Sequence, residues 1–186
     1  MDHYVDIQLR NDPEFPCYQI MDALFAKLHR VLVQVDSGNI GVSFPDAGDA
    51  QTGLGGCLRL HGAQQSLKQV MDMPWLSGVK DYVEASDVCP VPGDVKHYHV
   101  RRVQAKSSPG RLRRRQMKRK GWTEEQALEA IPDSLSERLS YPYLTVKSVS
   151  TGQVFRLFIN QKQTDVPTTG NFNTYGFSGT ASVVWF

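Results

Sequence analysis

Residues 12–32 read DPEFPCYQIMDALFAKLHRVL, and within them Ile20, Met21, Leu24, Phe25, Leu28, Val31 and Leu32 recur with a period near 3.6. That spacing predicts a helix with one apolar stripe turned to a core, starting near Asp12-Pro13-Glu14. Ahead of it, Tyr4 to Leu9 alternates apolar and polar residues, the signature of a half-buried strand. Beyond it, Ile40 to Phe44 and Leu58 to His61 read as short strands flanking a Gly- and Asp-rich loop, and Gln64 to Val70 as a second helix before Pro74. The order strand, helix, strand, strand, helix, strand predicts an α+β fold whose first domain, residues 1–94, is ferredoxin-like (RRM-like).

The stretch Ser86 to Asp94 holds Pro90, Pro92 and Gly93 and reads as a boundary without regular structure. A second domain, 95–186, follows. Val95 to Val103 reads as a strand. Ser108-Pro109 supplies an N-cap and a first-turn proline for an arginine-rich helix that runs to about Lys120, with Gly121 suited to its end. Thr123-Glu124-Glu125-Gln126 has the form of a capping box for a further short helix. Tyr143 to Lys147 and Val154 to Ile159 read as a β-hairpin, and the tail as a glycine-containing loop plus a terminal strand over Val183 to Phe186.

The chain has 186 residues and a formal net charge of +2, but ten of its 21 Lys and Arg lie between Arg101 and Lys120, a stretch without Asp or Glu. The remaining 11 basic residues are outnumbered by 19 acidic ones. Positive potential concentrated on one element predicts a polyanionic partner, since phosphates dominate such affinities through counterion release. No run approaches the roughly 20 apolar residues of a membrane span, and no signal-like segment opens the sequence, which predicts no membrane association and a cytoplasmic location. Cys17, Cys57 and Cys89 are widely spaced and odd in number, which predicts reduced thiols and no zinc site. His97 and His99 share a strand face without a third ligand near them in sequence and read as surface residues. No acidic cluster suggests a two-metal nuclease, and no metal or cofactor is predicted.

On a helical wheel Arg111, Arg114, Arg115 and Lys118 cover about one third of the circumference, with Arg119 beside them. A guanidinium fork holds phosphate bidentately or reads a guanine edge. An A-form major groove is too narrow for such a helix unless a stem end, loop or widened groove admits it, so an RNA hairpin is the better partner. Arg102 and Gln104 alternate along the preceding strand, where either base-edge contact or plain exposure fits. His29 lies about 110° from the centre of the apolar stripe, at the rim, where a histidine is ordinarily structural but can also accept a proton near neutral pH. Ser148, Ser150 and Thr151 sit near Gly152, a place for phosphate contact or simple turn chemistry. Phe155 and Tyr175 are either base-stacking platforms or core aromatics.

These residues resemble the CRISPR repeat-processing endoribonucleases of the type I-F (Ypest) system. The likeness runs nearly end to end, on Met1-Asp2-His3-Tyr4, Phe25-Ala26-Lys27-Leu28-His29, Ile40-Gly41-Val42-Ser43-Phe44-Pro45, Arg102-Val103-Gln104-Ala105-Lys106-Ser107, Arg111-Leu112-Arg113-Arg114-Arg115, Ser150-Thr151-Gly152-Gln153, Phe155-Arg156-Leu157-Phe158-Ile159 and Trp185-Phe186. The resemblance implies a helix lying in the major groove of the CRISPR repeat stem-loop and cleavage of precursor CRISPR RNA without a metal. It makes His29 the general base for a ribose 2′-hydroxyl, Ser148 the residue that holds that hydroxyl, and Tyr175 the residue that positions His29. Ser150 would touch a neighbouring phosphate and Phe155 would stack on the last base pair. Arg102 and Gln104 would read bases at the foot of the stem, and Arg115 would lie near the cut. Lys118 stands where the family pattern favours arginine. The resemblance further implies that the enzyme stays on its CRISPR RNA product and joins the protein subunits of a type I-F surveillance complex. The sequence physics alone leaves two other readings: a module that binds an RNA hairpin without cutting, and a DNA-binding regulator.

Overall fold

The computed structural model describes residues 1–48, 53–105, 108–136, 138–148 and 151–186. Among them are four α-helices and two antiparallel sheets, a mixed α+β arrangement. The chain divides into two compact units, one of residues 1–103 with 141–186 and the other of residues 104–140.

The larger unit begins with strand β1 (His3–Leu9) and helix α1 (Cys17–Val35). All seven stripe residues of α1 are buried, as the 3.6-residue period predicts. The helix starts five residues after Asp12. The Asp12 carboxylate instead accepts the N–H groups of Glu14 and Phe15 in a local turn, and Pro16, which has no N–H to donate, stands immediately before the first helical residue. β2 (Gly41–Ser43), β3 (Cys57–Gly62), α2 (Gln64–Met71), β4 (Val83–Ala85) and β5 (Cys89–Pro90) complete this part. The first sheet has the order β2-β3-β1-β4, with β5 also paired to β1. The Ser86 to Asp94 segment is therefore not wholly irregular: Pro90 stands opposite His3 on an edge, where a proline's missing donor is tolerated.

The second sheet has the order β7-β8-β6-β9, from β6 (Lys96–Val103), β7 (Tyr143–Lys147), β8 (Val154–Thr164) and β9 (Val183–Trp185). β8 runs five residues past the predicted Ile159, because His97 to Arg101 of β6 pair with Asn160 to Thr164. The sheets are joined by a side chain acting as backbone: the Gln161 amide accepts from Phe44 N–H and donates to Phe44 C=O, both at 2.9 Å. Arg59, 8% exposed, grips Asp6 bidentately at 2.6 and 2.8 Å with Phe186 stacked on its guanidinium at 3.9 Å, so the last residue packs on β3. No described helix is long and apolar enough to cross a membrane.

The smaller unit contains α3 (Pro109–Lys120) and α4 (Glu124–Ala130). Pro109 occupies the first turn of α3, and Gly121, at φ +68°, closes it by donating to Met117 C=O. The Thr123–Gln126 capping box forms in both directions, at 3.2 and 3.1 Å.

Candidate active site

His29 projects from α1 at the edge of the buried stripe and is half-buried. Its Nδ1 lies 2.8 Å from the carbonyl oxygen of Thr174. A carbonyl only accepts, so Nδ1 carries the proton and, in the neutral ring, Nε2 carries the lone pair. The Tyr175 ring lies parallel on the imidazole, centroids 4.1 Å apart at 5°. Phe25, one helical turn before His29, backs the same Tyr175 ring at 6.3 Å and 4°, and Phe177 stacks on Phe25 at 5.7 Å. A ring contact on one face and a hydrogen bond on one edge thus fix the imidazole plane.

The tail reaches α1 because it is anchored beside β2. Val42 N–H donates to Gly176 C=O and Phe172 N–H to Gly38 C=O, both at 2.9 Å. Gly176 has φ +74°, a conformation that favours glycine. Sequence reasoning named His29 and Tyr175 but missed Thr174, whose part is played by a backbone carbonyl, and Phe25, read only as core.

Ser148 follows the end of β7. Its N–H donates to Gln153 C=O at 2.8 Å, its carbonyl accepts from Gly152 N–H at 2.9 Å, and its Oγ accepts from Thr151 N–H at 3.2 Å. Ser150 lies outside the described residues. β7 is tied to α1 by Asp22, whose Oδ1 accepts Thr145 N–H at 2.9 Å. Burial of this carboxyl raises its pKa, against the lowering effect of the Thr145 N–H.

Phe155 on β8 is half-buried and packs on the core, with the Arg102 guanidinium 5.5 Å from its ring centroid. Arg102 is exposed on β6. Gln104 is also exposed, but β6 ends at Val103, so the strand alternation that would have aligned the two stops short of it.

Within the smaller unit Arg111, Arg114, Arg115, Lys118 and Arg119 are all exposed along one side of α3, while Leu112, Arg113, Gln116 and Met117 are half-buried on the other. Arg113 is a strut: it donates to Ile131 C=O at 2.8 Å and to the Asp133 carboxylate at 2.7 Å, holding α3 to the segment after α4. This division leaves the stripe cations facing solvent. Among the described residues, no group of three or more His, Cys, Asp and Glu is arranged to hold a metal ion. His99 Nδ1–H instead donates to Ala181 C=O at 3.2 Å.

The sequence model of a family described as CRISPR-associated protein (Cas_Csy4) matches residues 4–186. A protein of Pseudomonas aeruginosa (strain UCBPP-PA14) named CRISPR-associated endonuclease Cas6/Csy4 is 46% identical over 187 residues, covering 100% of both chains. A protein of Escherichia coli (strain UTI89 / UPEC) with the same name is 47% identical over 189 residues, again covering 100% of both. The chain thus belongs to the Cas_Csy4 family of CRISPR-associated proteins.

Proposed function

We propose that this protein is an endoribonuclease that binds the CRISPR repeat stem-loop and cuts precursor CRISPR RNA at the base of the hairpin without a metal. His29 Nε2 takes the proton of the ribose 2′-hydroxyl. The 2′-oxygen attacks phosphorus, the bond to the 5′-oxygen breaks and that oxygen takes up a proton from water, the imidazolium returning its own to solvent, which leaves a 2′,3′-cyclic phosphate and a 5′-hydroxyl. The observation that carries this reading is the fixed imidazole: Nδ1 tied to Thr174 and one face covered by Tyr175 leave Nε2 as the basic nitrogen.

Ser148 holds the attacking hydroxyl in this reading. Its support is the tie between α1, which carries His29, and β7, which leads into Ser148. Cys17, Tyr18, Met21 and Asp22 of α1 line a cavity with Tyr143 and Leu144, and Asp22 accepts a hydrogen bond from Thr145 N–H. Intramolecular attack between groups so held gains strongly from orientation.

The α3 stripe, with Arg111, Arg114, Arg115, Lys118 and Arg119, grips the stem, and Ser150 contacts a phosphate near the cut. Phe155 stacks on the terminal base pair, while Arg102 and Gln104 read the bases below it. Residues 1–94 form the ferredoxin-like domain that bears the histidine, a reading the order β4-β1-β3-β2 supports, and residues 95–186 form the RNA-binding domain. The enzyme retains its product, acts in the cytoplasm and joins the protein subunits of a type I-F surveillance complex. The test is His29→Ala, which should retain stem-loop binding while cleavage falls by about 10² to 10⁴-fold. Cleavage by the alanine variant at the parent rate refutes the role.

A further inference from the structure

Asn173-Thr174-Tyr175-Gly176-Phe177 is a turn with asparagine at its first position and glycine at its fourth, and Gly176 N–H closes it on Asn173 C=O at 2.8 Å. The Asn173 side chain does more than start the turn. Its Oδ1 accepts the N–H of Tyr175 at 2.9 Å and that of Phe177 at 3.2 Å, while Asn173 N–H donates to Phe177 C=O at 2.9 Å.

The Tyr175 N–H and the Thr174 C=O belong to one peptide unit. One end of that rigid plane is held by Asn173 Oδ1, and the other accepts His29 Nδ1–H at 2.8 Å. The hydrogen bonds form a chain through the amide, from imidazole to carbonyl and from N–H to side-chain oxygen, and each polarises the next. The same turn carries the Tyr175 ring that covers the imidazole.

Resting on the reading of His29 as general base, we infer that Asn173 is a positioning residue: by fixing the Thr174–Tyr175 peptide plane it holds His29 in the Nδ1–H tautomer and leaves Nε2 able to accept a proton. Without the asparagine oxygen the peptide can rotate its carbonyl away. An imidazole released from that carbonyl can carry its proton on Nε2, and the lone pair then lies on Nδ1 instead. The turn keeps its anchors at Val42 and Gly38, which do not involve the Asn173 side chain, so the effect is local.

The test combines histidine ¹⁵N NMR of the full chain without RNA and single-turnover cleavage of a repeat stem-loop, on the parent, Asn173→Ala and Asn173→Asp, with His29→Ala to assign the signal. In the parent, His29 should show the Nδ1–H tautomer. Asn173→Ala should shift it toward Nε2–H and slow cleavage about tenfold at unchanged binding, the loss expected when one ordinary hydrogen bond ceases to bias the ring. Asn173→Asp keeps an acceptor for both N–H groups and should restore tautomer and rate together. A parent His29 already protonated on Nε2 overturns the inference, and this observation needs no variant. So does an alanine variant with parental tautomer, or an aspartate variant as slow as alanine. If the tautomer shifts as expected but the parent does not cut RNA, Asn173 still positions the ring and it is the cleavage reading that fails.

Discussion

Replacing Tyr175 by leucine removes the ring from the face of His29 while keeping an apolar, though shorter, side chain. The stack is close and parallel, 4.1 Å and 5°, and Phe25 supports it from α1. Aromatic pairs of this kind contribute about 0.5 to 1.5 kcal/mol beyond area burial, so loss of the productive ring orientation should slow cleavage about 2- to 13-fold. That is far less than the roughly 10² to 10⁴-fold cost of removing the base itself. Tyr175→Phe retains the stacking ring and should cut close to the parent rate. The assay is single-turnover cleavage of a repeat stem-loop with protein in excess, with binding measured separately to show that the change lies in the chemical step. A leucine variant as fast as the parent refutes the stack as a positioning contact. A phenylalanine variant as slow as leucine transfers the role to the hydroxyl and refutes the argument from ring geometry.

Arg115→Ala should weaken stem-loop binding and reduce the salt slope by about 1, whereas Arg113→Ala should leave the slope and lower unfolding stability by about 1 kcal/mol. Equal losses of slope in salt titrations of the two variants contradict this division of α3. His61 is fully buried, its Nε2 2.7 Å from Ser43 Oγ, and burial, then Arg59 and the N-terminus, push its pKa down from 6.5 to about 3. Because the unfolded chain takes up that proton first, the stability His61 contributes is whole above 6.5 and declines as pH falls toward 3. Between about pH 7.5 and about pH 5.5 this one group should cost about 1.4 kcal/mol, read from denaturation midpoints as the difference from His61→Gln; parallel pH profiles for parent and variant refute it.

Local pattern carried much of this fold and distant pairing carried the rest. The α1 stripe was legible because burial imposes its period on the sequence, and the same wheel put His29 at the rim, where it lies. Its partner was not legible. Thr174 is 145 residues away and contributes a carbonyl, which no residue identity advertises. Tyr175 lies in a glycine-containing tail that reads as a loop, and only the anchors at Val42 and Gly38 turn that loop into part of the site. The length of β8 was hidden in Gln161, Lys162 and Gln163, whose polarity argues against a strand until their β6 partners are known. On α3, spacing separated the exposed stripe from Arg113, but the strut to Asp133 depends on a residue beyond the next helix. The cap at Thr123 and the stop at Gly121 are local chemistry and were readable as such.

The central claim, attack by a 2′-hydroxyl without a metal, is tested most directly by incubating the protein in EDTA with a repeat stem-loop RNA and with the same strand carrying one 2′-deoxy substitution just upstream of the cut, products being resolved on a denaturing gel. The account predicts that the all-ribose strand is cut to a 2′,3′-cyclic phosphate and a 5′-hydroxyl while the substituted strand binds and stays whole. Cleavage of both strands, or of neither despite tight binding, contradicts it.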